Sequence, residues 1–325
     1  MRKRVIVCIV TYNRTLELIK CIDTIKKQSF MPDKIVIINN GELNVQSFIA
    51  EYMDNIDYAV FNSNENIGCS GGVDYAIKAT KKDKFDYLLF FDDDAFCYNT
   101  KTIENLIIKA NEMKPQNSCL IINSLVVSQT NNEELSFGFP GIKTVFDARN
   151  EAKGGIIIDH INPFNGTLIT PELINIVGSP NPKYFSKGDE SEYQCRAMSK
   201  GALVATAVDS IVCHPSPRKL LNKKFFVLEC TPEQDYYKIR NYLDIFYLYF
   251  KNDIREYFED GVQMIKEYQG TPLYQKRICY FNAGVRDFVS RQFGKKDFSK
   301  IKITNERIVD FSIINSFLKN EAKIN

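Results

Sequence analysis

Asp92-Asp93-Asp94 follows directly on the apolar run Tyr87-Leu88-Leu89-Phe90-Phe91. Carboxylates packed at the end of an apolar strand repel one another and resist ionisation, so their pKa values rise. A divalent cation relieves that cost. Oxygen ligands suit Mg2+ or Mn2+, ions that bridge readily to diphosphate oxygens. The plainer alternative is that Asp94 or a neighbour caps a following turn, but consecutive acids after an apolar strand favour the metal.

Gly68-Cys69-Ser70-Gly71-Gly72, preceded by Asn64 and Asn66, opens an expected helix. Its bare backbone can approach a ribose or pyrophosphate closely. Alone it reads as turn punctuation, and it gains weight from lying between Asn40 and the aspartates. Gly188-Asp189-Glu190-Ser191-Glu192-Tyr193, with Arg196 beyond, sets further carboxylates at an expected helix start. Asp189 can cap that helix with Glu192 closing a capping box, and Glu192 can pair with Arg196 at i, i+4. Glu190 is left without a structural task, which makes it the candidate general base for a proton on an attacking hydroxyl. His214 ends the apolar run Ala207–Cys213; by itself it reads as an ordinary surface or core histidine.

The elements that must position these residues alternate short β-rich runs with amphipathic stretches. Strands are expected over 4–10, 34–38, 58–62, 87–91 and 118–127, with helices over 16–28, 45–52, 70–80 and 102–113. Such alternation predicts an α/β fold, a mostly parallel central sheet flanked by helices. Ligands of these sheets bind at the carboxyl ends of the strands. There stand Thr11-Tyr12-Asn13-Arg14, Asn39-Asn40-Gly41, the stretch from Asn62 to Gly68, and the aspartates. Residues 128–170, rich in Asn, Gly and Pro, are expected to be irregular with minor antiparallel strands. From Gln234 onward the pattern turns helical and aromatic. The expected division is one α/β domain over 1–232, in two halves that meet at about 127, followed by a helical region over 233–325.

A chain of 325 residues with 44% apolar content can bury a large core. Its formal charge of +2 hides an asymmetry, since residues 215–325 carry 20 basic and 14 acidic groups. No nucleic-acid partner is expected. Nine cysteines without a C-x-x-C pair read as reduced cytosolic thiols. The run Val5–Val10 reads as a first strand and not as a secretory signal. Tyr242–Phe250, interrupted by Asp244, falls far short of the roughly 20 residues of a membrane-spanning helix. The basic, aromatic tail, including 242–250 and 278–296, suits an anionic membrane surface, and suits equally well packing on the catalytic domain or contact with a second copy of the chain.

Taken together, these motifs resemble the family 2 glycosyltransferases with a GT-A fold, over roughly residues 4–245. The resemblance lies in Thr11-Tyr12-Asn13-Arg14, Asn39-Asn40-Gly41, Asn66 to Gly72, Phe91-Asp92-Asp93-Asp94-Ala95 and Asp189 to Arg196, in that order. Within the family the chain is most similar to bacterial galactofuranosyltransferases, through Phe91–Asp94, Asn165-Gly166 and Tyr236 to Asn241, with rhamnosyltransferases next. The resemblance implies that Asp92, Asp94 and His214 hold Mn2+ or Mg2+. It places Asp93 beside the donor ribose or sugar, and Thr11, Tyr12, Arg14, Asn39, Asn66 and Gly71 around the nucleotide. Glu190, with Asp189 beside it, becomes the base of an inverting transfer. The donor it implies is a UDP-sugar, UDP-galactofuranose first and dTDP-rhamnose as the alternative, and the acceptor a surface-glycan or lipid-linked glycan hydroxyl. It places the enzyme in the cytoplasm, with the inner face of the membrane in reach. The family carries an aspartate where Asn39 stands, aspartate more often than glutamate as base, and an aromatic pair where Thr167-Leu168 follow Asn165-Gly166. A nucleotidyltransferase would instead carry a Gly-rich, basic phosphate loop after the first strand, unlike Thr11–Arg14. A non-catalytic sugar-binding protein would leave the carboxylates unexplained.

Overall fold

The computed structural model describes residues 2–54, 56–162, 164–215 and 230–324. The chain forms two compact units, one of Met1–Pro182 with Glu190–Ser216 and the other of Lys183–Asp189 with Pro217–Asn325.

The first unit opens with β1 (Val5–Thr11), α1 (Thr15–Lys26), β2 (Lys34–Asn39) and α2 (Val45–Ile49), which tightens into a 3-10 turn over Ala50–Tyr52. Next come β3 (Tyr58–Asn62), α3 (Gly68–Ala79), β4 (Tyr87–Asp92), the short β5 (Phe96–Cys97), α4 (Thr102–Met113) and β6 (Leu120–Ser128). Smaller pieces follow: β7 (Glu134–Phe139), β8 (Ile142–Thr144), α5 (Val145–Glu151), β9 (Ile156–Ile158), β10 (Thr167–Ile169) and α6 (Pro171–Val177). The unit closes with α7 (Asp189–Ser199) and β11 (Leu203–His214).

The main path through the sheet runs β3-β2-β1-β4-β10-β6-β11-β5. β3, β2, β1 and β4 are mutually parallel. β10 is wedged antiparallel between β4 and β6, and β11 returns parallel to β6. Strands buried on both faces read as nearly continuous apolar runs, and alternate residues serve the two sides. Val5, Val7, Ile9, Leu89 and Phe91 pack with α1 and α4, while Ile6, Cys8, Leu88 and Phe90 pack with α3, α6 and α7. Every expected element before residue 128 is present, with no end displaced by more than three residues. The helix α5 inside the stretch expected to be irregular is held by local chemistry, a reciprocal capping box between Thr144 and Asp147.

The second unit is helical: α8 (Pro232–Tyr249), α9 (Ile254–Glu267), α10 (Tyr274–Val289) and α11 (Ser312–Ile324). Thr231 and Gln234 form a capping box at the start of α8, with Pro232 in the first turn, where its missing N–H costs nothing. Leu243, Phe246, Ile278, Phe281, Val285 and Phe288 form its core, so both tail stretches singled out in the sequence supply interior side chains. Leu248 and Phe250 remain exposed. Arg277 pairs with buried Asp235 and donates to Cys230 O at 2.7 Å. Asn241 Nδ2 gathers the carbonyls of Tyr184, Ser186 and Lys187 within 2.6–3.0 Å, bracing a turn in which Phe185, Lys187 and Gly188 have positive φ.

Candidate active site

β1 and β4 lie side by side with Val10 opposite Asp92, so the residues leaving both strands meet at their carboxyl ends. Asp93 turns inward and is 5% exposed. It accepts from Thr11 Oγ1 at 2.8 Å, Tyr12 N at 3.3 Å and Arg14 Nη1 at 3.2 Å. Burial raises its pKa, and the bonds from Thr11 and Arg14 counter this only in part. Asp94 has both carboxylate oxygens engaged, one by Arg14 and the other by His214 Nε2 at 3.3 Å. Burial alone would raise Asp94, but His214 and Arg14 hold it below the ordinary carboxylate range. Asp92 is pushed up to about 7, by burial first and then by Asp94, Asp93 and Glu190, against the opposing pull of His214.

His214 reaches this corner because β11 carries a register break. Ala207 pairs with Ser124, yet Ile211 pairs with Leu125, and the strand then runs on until His214 lies opposite Ser128. Such bulges re-aim a strand beside a site. His214 Nδ1 lies 2.7 Å from Pro215 O. A carbonyl can only accept, so Nδ1 carries the proton and Nε2 is the nitrogen presented to the aspartates. Burial lowers the pKa of His214, but the bond and charge of Asp94, together with Asp92, raise it overall.

Asp92, Asp94 and His214 each offer one ligand atom within 4.8 Å of the others. Two carboxylate oxygens and one imidazole nitrogen fit Mn2+ or Mg2+. The raised pKa of Asp92 is the cost of holding like charges together, a cost that a bound cation would relieve.

Glu190, the second residue of α7, is partly exposed, and its charge is felt at Asp92. Asp189 is fully buried, so between the two acids only Glu190 has a surface to offer a substrate. Glu192 is engaged by Arg196 at 2.8 and 3.0 Å, the i, i+4 pair expected from the sequence. Asn66 Oδ1 accepts from Gly68 N at 2.9 Å, a turn that starts α3. Gly71 packs on its own turn, where an added Cβ would lie 2.9 Å from Ile67 Cβ. Gly72 lets α3 reach β1, since a Cβ there would come within 2.5 Å of Val10 Cγ1.

Asn39 is placed differently from a free nucleobase ligand. It is 2% exposed, donates to Leu43 O and Asn62 Oδ1 at 2.8 Å each, and accepts from Gly41 N at 3.0 Å. One lone pair of its Oδ1 is thus already used in bracing the loop. Tyr12 is half-exposed and meets Asp93 through its backbone alone.

Three neighbours were not singled out in the sequence. Gln129 donates to Asp94 O at 2.9 Å, the Phe137 ring lies 4.9 Å from that of His214, and Cys69 Sγ is 3.9 Å from Asp92 Oδ1. Cys69 sits inside the glycine motif, which was a signal. Gln129 and Phe137 come from the stretch expected to be irregular, where no pattern marks them.

Residues 6–157 match the profile of glycosyl transferase family 2. Galactofuranosyltransferase GlfT1 of Mycobacterium tuberculosis is 24% identical over 222 residues, 66% of this chain and 71% of that protein. GlfT1 of Mycolicibacterium smegmatis is 22% identical over 220 residues, 65% of this chain and 71% of that protein. The structure of GalNAc-T7 with UDP, GalNAc and Mn2+ superposes with a TM-score of 0.57 at 13% identity, over 92% of this chain and 57% of that one. Mannosyltransferase PcManGT from Pyrobaculum calidifontis, in complex with GDP-Man and Mn2+, gives a TM-score of 0.53 at 11% identity, over 99% of this chain and 81% of that one. Residues 6–157 thus match glycosyl transferase family 2, the fold is of the GT-A kind, and the chain is a glycosyltransferase.

Proposed function

We propose that this glycosyltransferase is a metal-dependent, inverting enzyme that moves galactofuranose from UDP-galactofuranose onto a hydroxyl of a bacterial surface-glycan or lipid-linked acceptor. The observation that carries the reading is the convergence of Asp92, Asp94 and His214 within 4.8 Å, with the Glu190 charge acting on the same cluster. The donor sugar rests on the galactofuranosyltransferase relatives. Asp92, Asp94 and His214 would hold Mn2+ or Mg2+, which when bound stabilises negative charge on the departing diphosphate. Thr11 and Arg14 fix the carboxylate of Asp93, and Arg14 also holds that of Asp94. Glu190 takes the proton of the acceptor hydroxyl as its oxygen bonds to the anomeric carbon. The carbon–oxygen bond to the diphosphate breaks on the opposite face, and the electron pair leaves with the nucleoside diphosphate.

We place this activity in the cytoplasm, at the inner face of the membrane, where a lipid-linked acceptor lies. The nine free thiols support a reducing compartment. Among the described residues, no helix is long and apolar enough to cross a membrane.

The test is a screen of nucleotide sugars for Mn2+-dependent release of nucleoside diphosphate, followed by Glu190→Gln on the best donor. General-base assistance is worth about 10²–10⁴-fold, so kcat should fall by that factor with donor affinity unchanged. Near-normal turnover of Glu190→Gln removes the base. A screen in which dTDP-rhamnose outperforms UDP-galactofuranose replaces the donor.

A further inference from the structure

A cleft of about 630 Å³ opens at the end of the sheet opposite the aspartates. Lys84 and Phe85 precede the first residue of β4, and Pro171 and Ile174 follow β10, which runs antiparallel to β4. The cleft therefore lies at the amino-terminal end of β4, a full strand length from Asp92. Its size is that of a small-molecule site. Ile77, Phe85, Pro171 and Ile174 give it an apolar lining, and Lys78, Lys81 and Lys84 stand at it.

These lysines differ in what they already do. Lys78 pairs with Asp74 at 2.6 Å, and Asp83 pairs with Lys34 at 3.2 Å. Lys78 and Lys81 also sit at the end of α3, where a cation offsets the helix dipole. Lys84 lies five residues beyond that helix and has no such task. Among the described residues, Lys81 and Lys84 meet no carboxylate, and exposed Lys82 adds a further positive charge beside them.

An apolar cleft edged by uncompensated lysines matches an amphiphile with an anionic head and an apolar chain. Lys81, Lys82 and Lys84 are all exposed within one short stretch, so a surface of such molecules can meet all three charges at once where a single dissolved anion cannot. We propose that this cleft docks the catalytic unit on an anionic bilayer, taking the headgroup and upper acyl chain of an anionic phospholipid. This docking site is separate from the basic tail and does not depend on the donor or the acceptor.

The experiment is flotation of the full chain with vesicles of phosphatidylcholine, with and without phosphatidylglycerol. The comparison is between the wild type, the double variant Lys81→Gln/Lys84→Gln and the tail variant Lys300→Gln/Lys302→Gln. All four lysines are exposed, and unchanged thermal unfolding midpoints will show that the variants fold. Each basic residue at an anionic surface contributes about fivefold to partition, so the double variant should partition about thirtyfold less than wild type onto the phosphatidylglycerol vesicles. The tail variant should retain most of the binding. A second cleft variant, Ile174→Ser, should weaken flotation without changing the net charge. Equal flotation of the wild type and the double variant overturns the proposal. So does a wild type that binds inorganic phosphate through Lys81 and Lys84 yet fails to float, because the ligand would then be a dissolved anion.

Discussion

Asn39→Asp would restore the residue that the family resemblance places at this position, yet the structure predicts that it harms the protein. Asn39 Nδ2 donates to Leu43 O and Asn62 Oδ1 at 2.8 Å each. An ionised aspartate donates neither bond and sets an oxygen against each acceptor, inside a residue that is only 2% exposed. Leu43 and Asn62 are exposed, so water can satisfy their oxygens, and the loss is best counted as two net hydrogen bonds, about 1–3 kcal/mol in total. A protonated aspartate recovers one donated bond, so folding raises its pKa above the unfolded value of about 3.9. The sign follows: the variant keeps most stability below about pH 4 and loses it as pH rises through the raised folded-state pKa. Urea unfolding of both proteins at pH 5 and pH 8 reads this directly, with a UDP titration alongside. A variant as stable as wild type at pH 8 that also binds UDP more tightly would refute the assignment of Asn39 as a loop brace.

Two further outcomes follow from the same site. Mn2+ needs Asp92 ionised and His214 Nε2 unprotonated, and folding raises the pKa of both, Asp92 to about 7. Mn2+ affinity, followed by electron paramagnetic resonance, should therefore climb as pH rises through 7, by up to about tenfold per pH unit for each proton displaced, and then level off; a flat profile from pH 6 to 8 contradicts this. Gly72→Ala places a methyl 2.5 Å from Val10 Cγ1 and 3.2 Å from Asn40 Nδ2. It should cost about 1–3 kcal/mol by overpacking α3 against β1, and an unchanged unfolding midpoint would show that the helix has room to retreat.

The half of the fold that was legible in the sequence is the half in which local pattern and burial agree. β1, β2 and β4 are apolar on both faces, and the polar residues that end them fall where such sheets bind ligands, so Thr11, Arg14 and the aspartates could be placed together. β10 is three residues long and wedged between β4 and β6 by tertiary pairing alone, and no period in Thr167-Leu168-Ile169 announces it. His214 could be tied to the aspartates only through family resemblance, because the register break that delivers it depends on how β11 meets β6. The engagement of Asn39 by Leu43 and Asn62 was hidden for the same reason. Its partners lie in a loop and on a neighbouring strand, and the residue type fits a ligand contact as well as a brace.

The most direct measurement is a calorimetric titration of Mn2+ in the presence of UDP, for wild type, Asp92→Asn, Asp94→Asn and His214→Ala. The account predicts a single ion bound by the wild type and an affinity at least about tenfold weaker in each variant, since even residues outside the immediate ligand set typically cost 10–100-fold. Equal Mn2+ affinity in all four proteins would contradict the claim that Asp92, Asp94 and His214 hold the cation.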